Sequence, residues 1–189
     1  MDAVCSWWPI PGTQRRVLVA RLPQPATRVV QRALSDRLTC RLFADAGHAI
    51  AVDDIGRTIY GKPQLRDQSL HHSISNTRSL TIGVLGPDPI GIDIEALDRP
   101  LRVAPELLAH RLFASAAEAT VFLRHWSLIQ AWTAKEAVLK AAGLGLGGGL
   151  AHVKIAPDGA EASLHGSRYA LYLWEQEGFS VAVAECIRC

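Results

Sequence analysis

An α+β fold in two halves is what the pattern of the 189-residue chain predicts. Two observations carry this expectation. Short stretches with period-2 apolar alternation are interrupted by longer stretches with the 3.6-residue period of a helix. They run strand, helix, strands up to about Pro87, and then strand, helices, strands to the end. The length allows one large domain or two small halves with a proper core, and we divide it at 1–87 and 88–189. No repeat by residue identity relates the halves.

The elements follow in chain order. Residues 1–14 are polar and proline-broken, with an unusual Trp7-Trp8 pair, and read as a loose tail or a cap on the core. Arg16–Leu22 reads as a strand. Pro25-Ala26-Thr27 starts a helix to about Arg41, with Val29, Val30, Ala33, Leu34 and Leu38 as its apolar stripe. Ala49–Val52 and Thr58–Tyr60 are short strand candidates, followed by Gly61-Lys62-Pro63. Ser73–Ser79 leads as a small-polar turn segment into a strand at Leu80–Leu85. In the second half, Pro89 opens the strand Ile90–Glu95 and Ala104-Pro105-Glu106 starts a helix. Ser115-Ala116-Ala117-Glu118 has the form of a capping box and starts another. The helix around Trp132–Lys140 stops at a glycine run, Gly143–Gly149. Strands are expected at 152–155, 162–165, 170–174 and 179–184, with Pro157-Asp158-Gly159 a turn.

Composition bounds the function. With 49% hydrophobic and 20% charged residues the chain is ordinary for a soluble globular protein. A net charge of +2, with no basic run or aromatic–basic interleaving, argues against nucleic acid. Arg15, Arg16, Arg21, Arg28 and Arg32 make the first segment locally basic, which suits either an anionic partner or a solubilising face. No apolar run approaches the ~18–20 residues of a membrane span, and no leader pattern is recognisable. Cys5, Cys40, Cys186 and Cys189 form no disulfide framework and no metal-ligand spacing, so we expect ordinary thiols of a cytoplasmic protein. The histidines likewise lack zinc-ligand spacing.

Two stretches stand apart. In Ile90-Gly91-Ile92-Asp93-Ile94-Glu95 the acids alternate with isoleucines, so both carboxylates project from one face of a strand. In Trp132-Thr133-Ala134-Lys135-Glu136-Ala137-Val138-Leu139-Lys140, the residues Trp132, Glu136 and Lys140 recur every fourth position on one helix stripe. A solvated strand face and a solvated helix side fit the same pattern. Against that reading, the strand is short and proline-bounded, and its two polar positions are both acidic. The glycine run is also longer than a surface helix needs. Packed together, the two elements bring Asp93, Glu95 and Glu136 into reach of Lys135 and Lys140. Three carboxylates suit a hard divalent cation such as magnesium, which keeps waters and takes phosphate oxygens as further ligands, while lysines oppose the remaining phosphate charge.

These two stretches, in this order and separation, resemble the signature motifs of the 4'-phosphopantetheinyl transferases. Gly61-Lys62-Pro63, Ser73-Ile74-Ser75-Asn76-Thr77, Arg111-Leu112-Phe113-Ala114-Ser115 and the Gly-Leu-Gly-Leu tail extend the likeness from about Ala26 onward. It is the two-halved type of the family that the chain resembles. The likeness implies a pseudo-twofold α+β monomer with the active site in the cleft between halves. It implies a reaction in which phosphopantetheine passes from coenzyme A to a serine of an acyl or peptidyl carrier protein, releasing 3',5'-ADP. Asp93, Glu95 and Glu136 would hold Mg2+, or Mn2+ in its place. Glu136 or a water on the metal would accept the serine proton, Lys140 would serve the leaving phosphate, and Lys135 would hold the diphosphate. Lys62, Ser75, Asn76 and Arg28 would bind the rest of the nucleotide. The stretch from Arg111 to His125 would face the carrier. Asn76 stands where the family usually has histidine and never carries an imidazolium charge, so coenzyme A affinity is expected to depend less on pH than in histidine-bearing relatives. The alternative reading is a degenerate homologue that binds coenzyme A or a carrier without turnover.

Overall fold

A computed structural model describes residues 5–22, 27–57, 63–65, 70–145 and 149–188. The chain falls into two compact units, Met1–Pro89 and Ile90–Cys189. Each combines an antiparallel sheet with helix, so the protein is α+β.

In the first unit the elements are β1 (Cys5–Pro9), β2 (Arg16–Arg21), α1 (Arg28–Asp45), a 3-10 turn at Val52–Asp54, β3 (Gly56–Arg57), β4 (Pro63–Gln64), β5 (His71–Asn76) and β6 (Leu80–Gly86). The main sheet has the order β1-β2-β6-β5, every pair antiparallel, and β3 pairs with β4 separately. Three sequence readings are corrected here. The Trp7-Trp8 segment is an edge strand: Trp8 pairs with Val17 in a hairpin with β2 that satisfies its backbone, and its side chain is buried. The segment around Ser75 and Asn76 is strand β5, and only the few residues before Leu80 turn. The expected strand at 49–52 is irregular and ends in the 3-10 turn, because the Asp54 carboxylate accepts a hydrogen bond from Ala51 N at 2.8 Å and closes the chain on itself.

Helix α1 is capped by Thr27, whose Oγ1 accepts from Val30 N at 3.3 Å, and runs one turn past Arg41. Its buried stripe is Ser35, Leu38, Thr39, Leu42 and Phe43, whereas Val29 is 78% exposed. Of the expected stripe Leu38 is buried and Leu34 packs against the same cluster, while Val29, Val30 and Ala33 are exposed, because only the later turns rest on the sheet, where Leu38 and Leu42 pack with Leu18 and Ala20. The candidate strand Thr58–Tyr60 and the residues Gly61 and Lys62 lie outside the described residues.

The second unit follows the sequence expectation closely. It contains β7 (Ile90–Ala96), α2 (Pro105–Leu112), α3 (Ala116–Phe122), α4 (Leu128–Ala141), a 3-10 turn at Leu150–His152, β8 (Lys154–Ile155), β9 (Glu161–Leu164), β10 (Ser167–Gln176) and β11 (Phe179–Arg188). The antiparallel sheet has the order β7-β11-β10-β9-β8. Gly91, Asp93 and Glu95 stand opposite Ala184, Ala182 and Ser180 of β11, and those three stand opposite Leu171, Leu173 and Glu175 of β10. This set of rows is the face on which α4 lies: Leu171, Ala182 and Ala184 share a core with Ala134, Ala137, Val138 and Ala141.

Helix α4 is defined at both ends by side chains and turns the sequence specifies. Ser127 Oγ accepts from Gln130 N while Gln130 Oε1 accepts from Ser127 N, a complete capping box. At the other end Gly143 adopts φ +73°, Leu144 N bonds Leu139 O and Gly143 N bonds Lys140 O. That is the Schellman termination, and it needs glycine at the left-handed position. The expectation of ordinary thiols fails at Cys186, which is disulfide-bonded; Cys5 and Cys40 are free.

Candidate active site

Strand β7 sorts its residues by face. Ile90, Ile92 and Ile94 are at most 1% exposed on one side, while Gly91, Asp93 and Glu95 point toward α4 on the other. Gly91 sets the spacing: a Cβ there would collide with the backbone at Ala137 O and Ala141 N, so helix and strand meet backbone to backbone. That close approach carries Lys140, in the last turn of α4, onto Asp93. Lys140 Nζ donates to Asp93 Oδ1 at 2.7 Å and to Ile92 O at 3.0 Å. Asp93 is itself only 5% exposed.

One turn earlier on the same stripe lies Glu136. Its carboxyl is pushed up to about 7, first by burial, then by the negative charge of Asp93, with Lys140 opposing and Glu95 adding to the rise. The Glu95 carboxyl is raised too, mainly by burial, against the lowering effect of its hydrogen bond with Arg99. Arg99 forms an ion pair with Glu95 and sits 5.4 Å from the ring centroid of Trp132, the first residue of the stripe. Asp93 is therefore close enough to raise both glutamates, and two cations, Lys140 and Arg99, oppose that rise.

Among the described residues no group of three or more histidine, cysteine or acidic side chains stands in ligating arrangement as the chain is found. The donor chemistry nevertheless fits a hard divalent cation. Asp93 raises the carboxyls of both Glu95 and Glu136, and such a set gains by accepting positive charge between its members; Lys140 and Arg99 supply positive charge there.

The other predicted residues are placed as follows. Lys135 is not brought to the acids. It is fully buried, with Nζ 2.9 Å from Glu118 Oε1 and 2.6 Å from Val153 O, and 4.8 Å from the Phe113 ring centroid. The expectation that it holds a diphosphate is corrected: the adjacent position on a helix turns its side chain about 100° away from Glu136, and a buried ammonium needs the partners it has. Ser75 is buried in β5. Asn76 Oδ1 accepts from Thr81 Oγ1 at 2.6 Å and from Ser35 Oγ at 3.2 Å. Arg28 is exposed at the start of α1. These three belong to the first unit and the acids to the second; Lys62 lies outside the described residues. Sequence reasoning missed Arg99, which follows the strand at a spacing no pairing rule marks. It read Glu118 only as a cap, although the same carboxylate holds Lys135.

With this geometry in hand, comparison with known proteins defines the class. The family described as the 4'-phosphopantetheinyl transferase superfamily matches residues 89–184, slightly more than half of the chain and nearly all of the second unit. The chain belongs to that superfamily. Among individual proteins it is similar to a 4'-phosphopantetheinyl transferase of Bacillus subtilis, with 31% identity over 93 residues. That match covers 46% of this chain and 40% of the relative's length.

Proposed function

We propose that the protein transfers the 4'-phosphopantetheine group of coenzyme A to a serine of an acyl or peptidyl carrier protein. The observation that carries the reading is the acid cluster of β7 and α4 inside the family match, with Glu136 pushed into the neutral range by Asp93 and burial. The serine oxygen forms a bond to the β-phosphorus, the bond from that phosphorus to the bridging oxygen breaks, and 3',5'-ADP departs. Asp93, Glu95 and Glu136 would hold Mg2+ or Mn2+, which when bound supplies charge neutralisation of the diphosphate. Glu136 takes the serine proton, directly or through a water. Lys140 swings its ammonium from Asp93 toward the departing phosphate. Arg28, Lys62, Ser75 and Asn76 serve the nucleotide end. Arg111, Arg124 and His125, all exposed, give the carrier a basic surface to meet.

The test is mass spectrometry of apo-carrier proteins incubated with coenzyme A, Mg2+ and the protein. The expected result is a carrier gaining one phosphopantetheine, with equimolar 3',5'-ADP, and no gain when its acceptor serine is replaced by alanine. Coenzyme A binding without any carrier gaining mass would overturn the transfer and establish a binding homologue instead. Asn76 is the residue that favours this second reading, since it stands where the family usually has histidine and never carries an imidazolium charge.

A further inference from the structure

Ser180 lies in β11 directly across from Glu95 of β7 on one side and Glu175 of β10 on the other. All three side chains share the sheet face that α4 covers, and opposed residues of antiparallel strands hold their Cβ atoms about 4.5–5.5 Å apart. Ser180 is 0% exposed, and among the described residues its Oγ has no hydrogen-bond partner. A buried hydroxyl left so pays its desolvation without return, which calls for an explanation. Its two neighbours are differently committed. Glu175 accepts from Gln130 Nε2 at 3.1 Å, and Glu95 is held by Arg99, a cation at the edge of the cluster. Alanine would fill the same space without the penalty, as Ala182 and Ala184 do in the adjacent rows.

We propose that Ser180 is a positioning residue for Glu95: its hydroxyl donates to the Glu95 carboxylate when that group leaves Arg99 for a bound divalent cation. The inference rests on the functional reading above, in which Glu95 is a metal ligand. A hydroxyl donating to one carboxylate oxygen fixes the direction in which the other points, and the bond is charge-assisted. In the metal-free chain the hydroxyl waits without a partner, and in the loaded chain it has one. Its worth is therefore expressed as metal affinity rather than as stability of the free fold.

The experiment is a Mn2+ titration followed by electron paramagnetic resonance of free Mn2+, with and without coenzyme A, on the wild type, Ser180→Ala and Ser180→Cys. Ser180→Ala is expected to weaken Mn2+ binding about 5- to 10-fold while raising the metal-free melting temperature, because the unpartnered hydroxyl is gone, and leaving metal-free coenzyme A affinity unchanged. Ser180→Cys, similar in size with a weaker donor, falls between. Equal Mn2+ affinity in wild type and Ser180→Ala overturns the inference and leaves the proposed function standing. A wild type that binds no Mn2+ in either condition overturns both.

Discussion

Glu136 has a carboxyl near 7 in the folded chain, against an ordinary value of 4.5. The folded state thus holds its proton more tightly than the unfolded state does. Stability from this group is fully present below about pH 4.5, declines as pH rises, and is lost above about 7. Glu136→Gln keeps the shape and removes the buried charge. In metal-free buffer at pH 8 the variant should melt a few degrees higher than wild type, while at pH 4 the two should agree; thermal unfolding followed by circular dichroism reads both. Identical melting at both pH values would mean that the carboxyl is not desolvated as placed. The residue types at this site were legible in the sequence, because alternation on a strand and a four-residue stripe on a helix are local patterns. The partners were not. That Lys135 meets Glu118 and Val153 depends on how α3 and the segment after the glycine run fold around α4, and no local spacing encodes it.

At the scale of elements, the contact that organises the second unit is α4 laid on β7 with Gly91 between them. Gly91→Ala adds one methyl against helix backbone, which cannot rotate away as a side chain could. We expect a loss of about 3 kcal/mol or more, near or beyond the usual cost of overpacking, together with loss of metal-dependent coenzyme A binding, measured by denaturant unfolding and calorimetry. A fully stable, fully binding variant would show that helix and strand do not meet this closely. The second unit's elements were readable because their signals are local: a capping box at Ser127, a glycine stop at Gly143, and acids alternating with isoleucines. In the first unit β1 was missed, since a tryptophan pair beside proline shows no period and becomes a strand only through pairing with β2. The first turns of α1 were wrongly placed on its buried stripe, because apolar residues occupy its whole length and only the sheet decides which of them, Leu34 and Leu38 among those expected, are covered.

For the molecule as a whole, the α+β class could be read from the order of periods; the described chain forms the units Met1–Pro89 and Ile90–Cys189. Among the described residues no helix is long and apolar enough to cross a membrane. The central claim is that Asp93, Glu95 and Glu136, and not Lys135, form the working cluster of the second unit. The most direct measurement is the rise in melting temperature on adding Mg2+ together with coenzyme A, compared across the wild type, Asp93→Asn, Glu95→Gln, Glu136→Gln and Lys135→Met. Specific binding stabilises the folded chain by mass action. A rise is expected for the wild type and for Lys135→Met, the latter from a lower starting temperature, and little or none for the three acid variants. A rise retained by all three acid variants, or one lost in Lys135→Met alone, would contradict the claim.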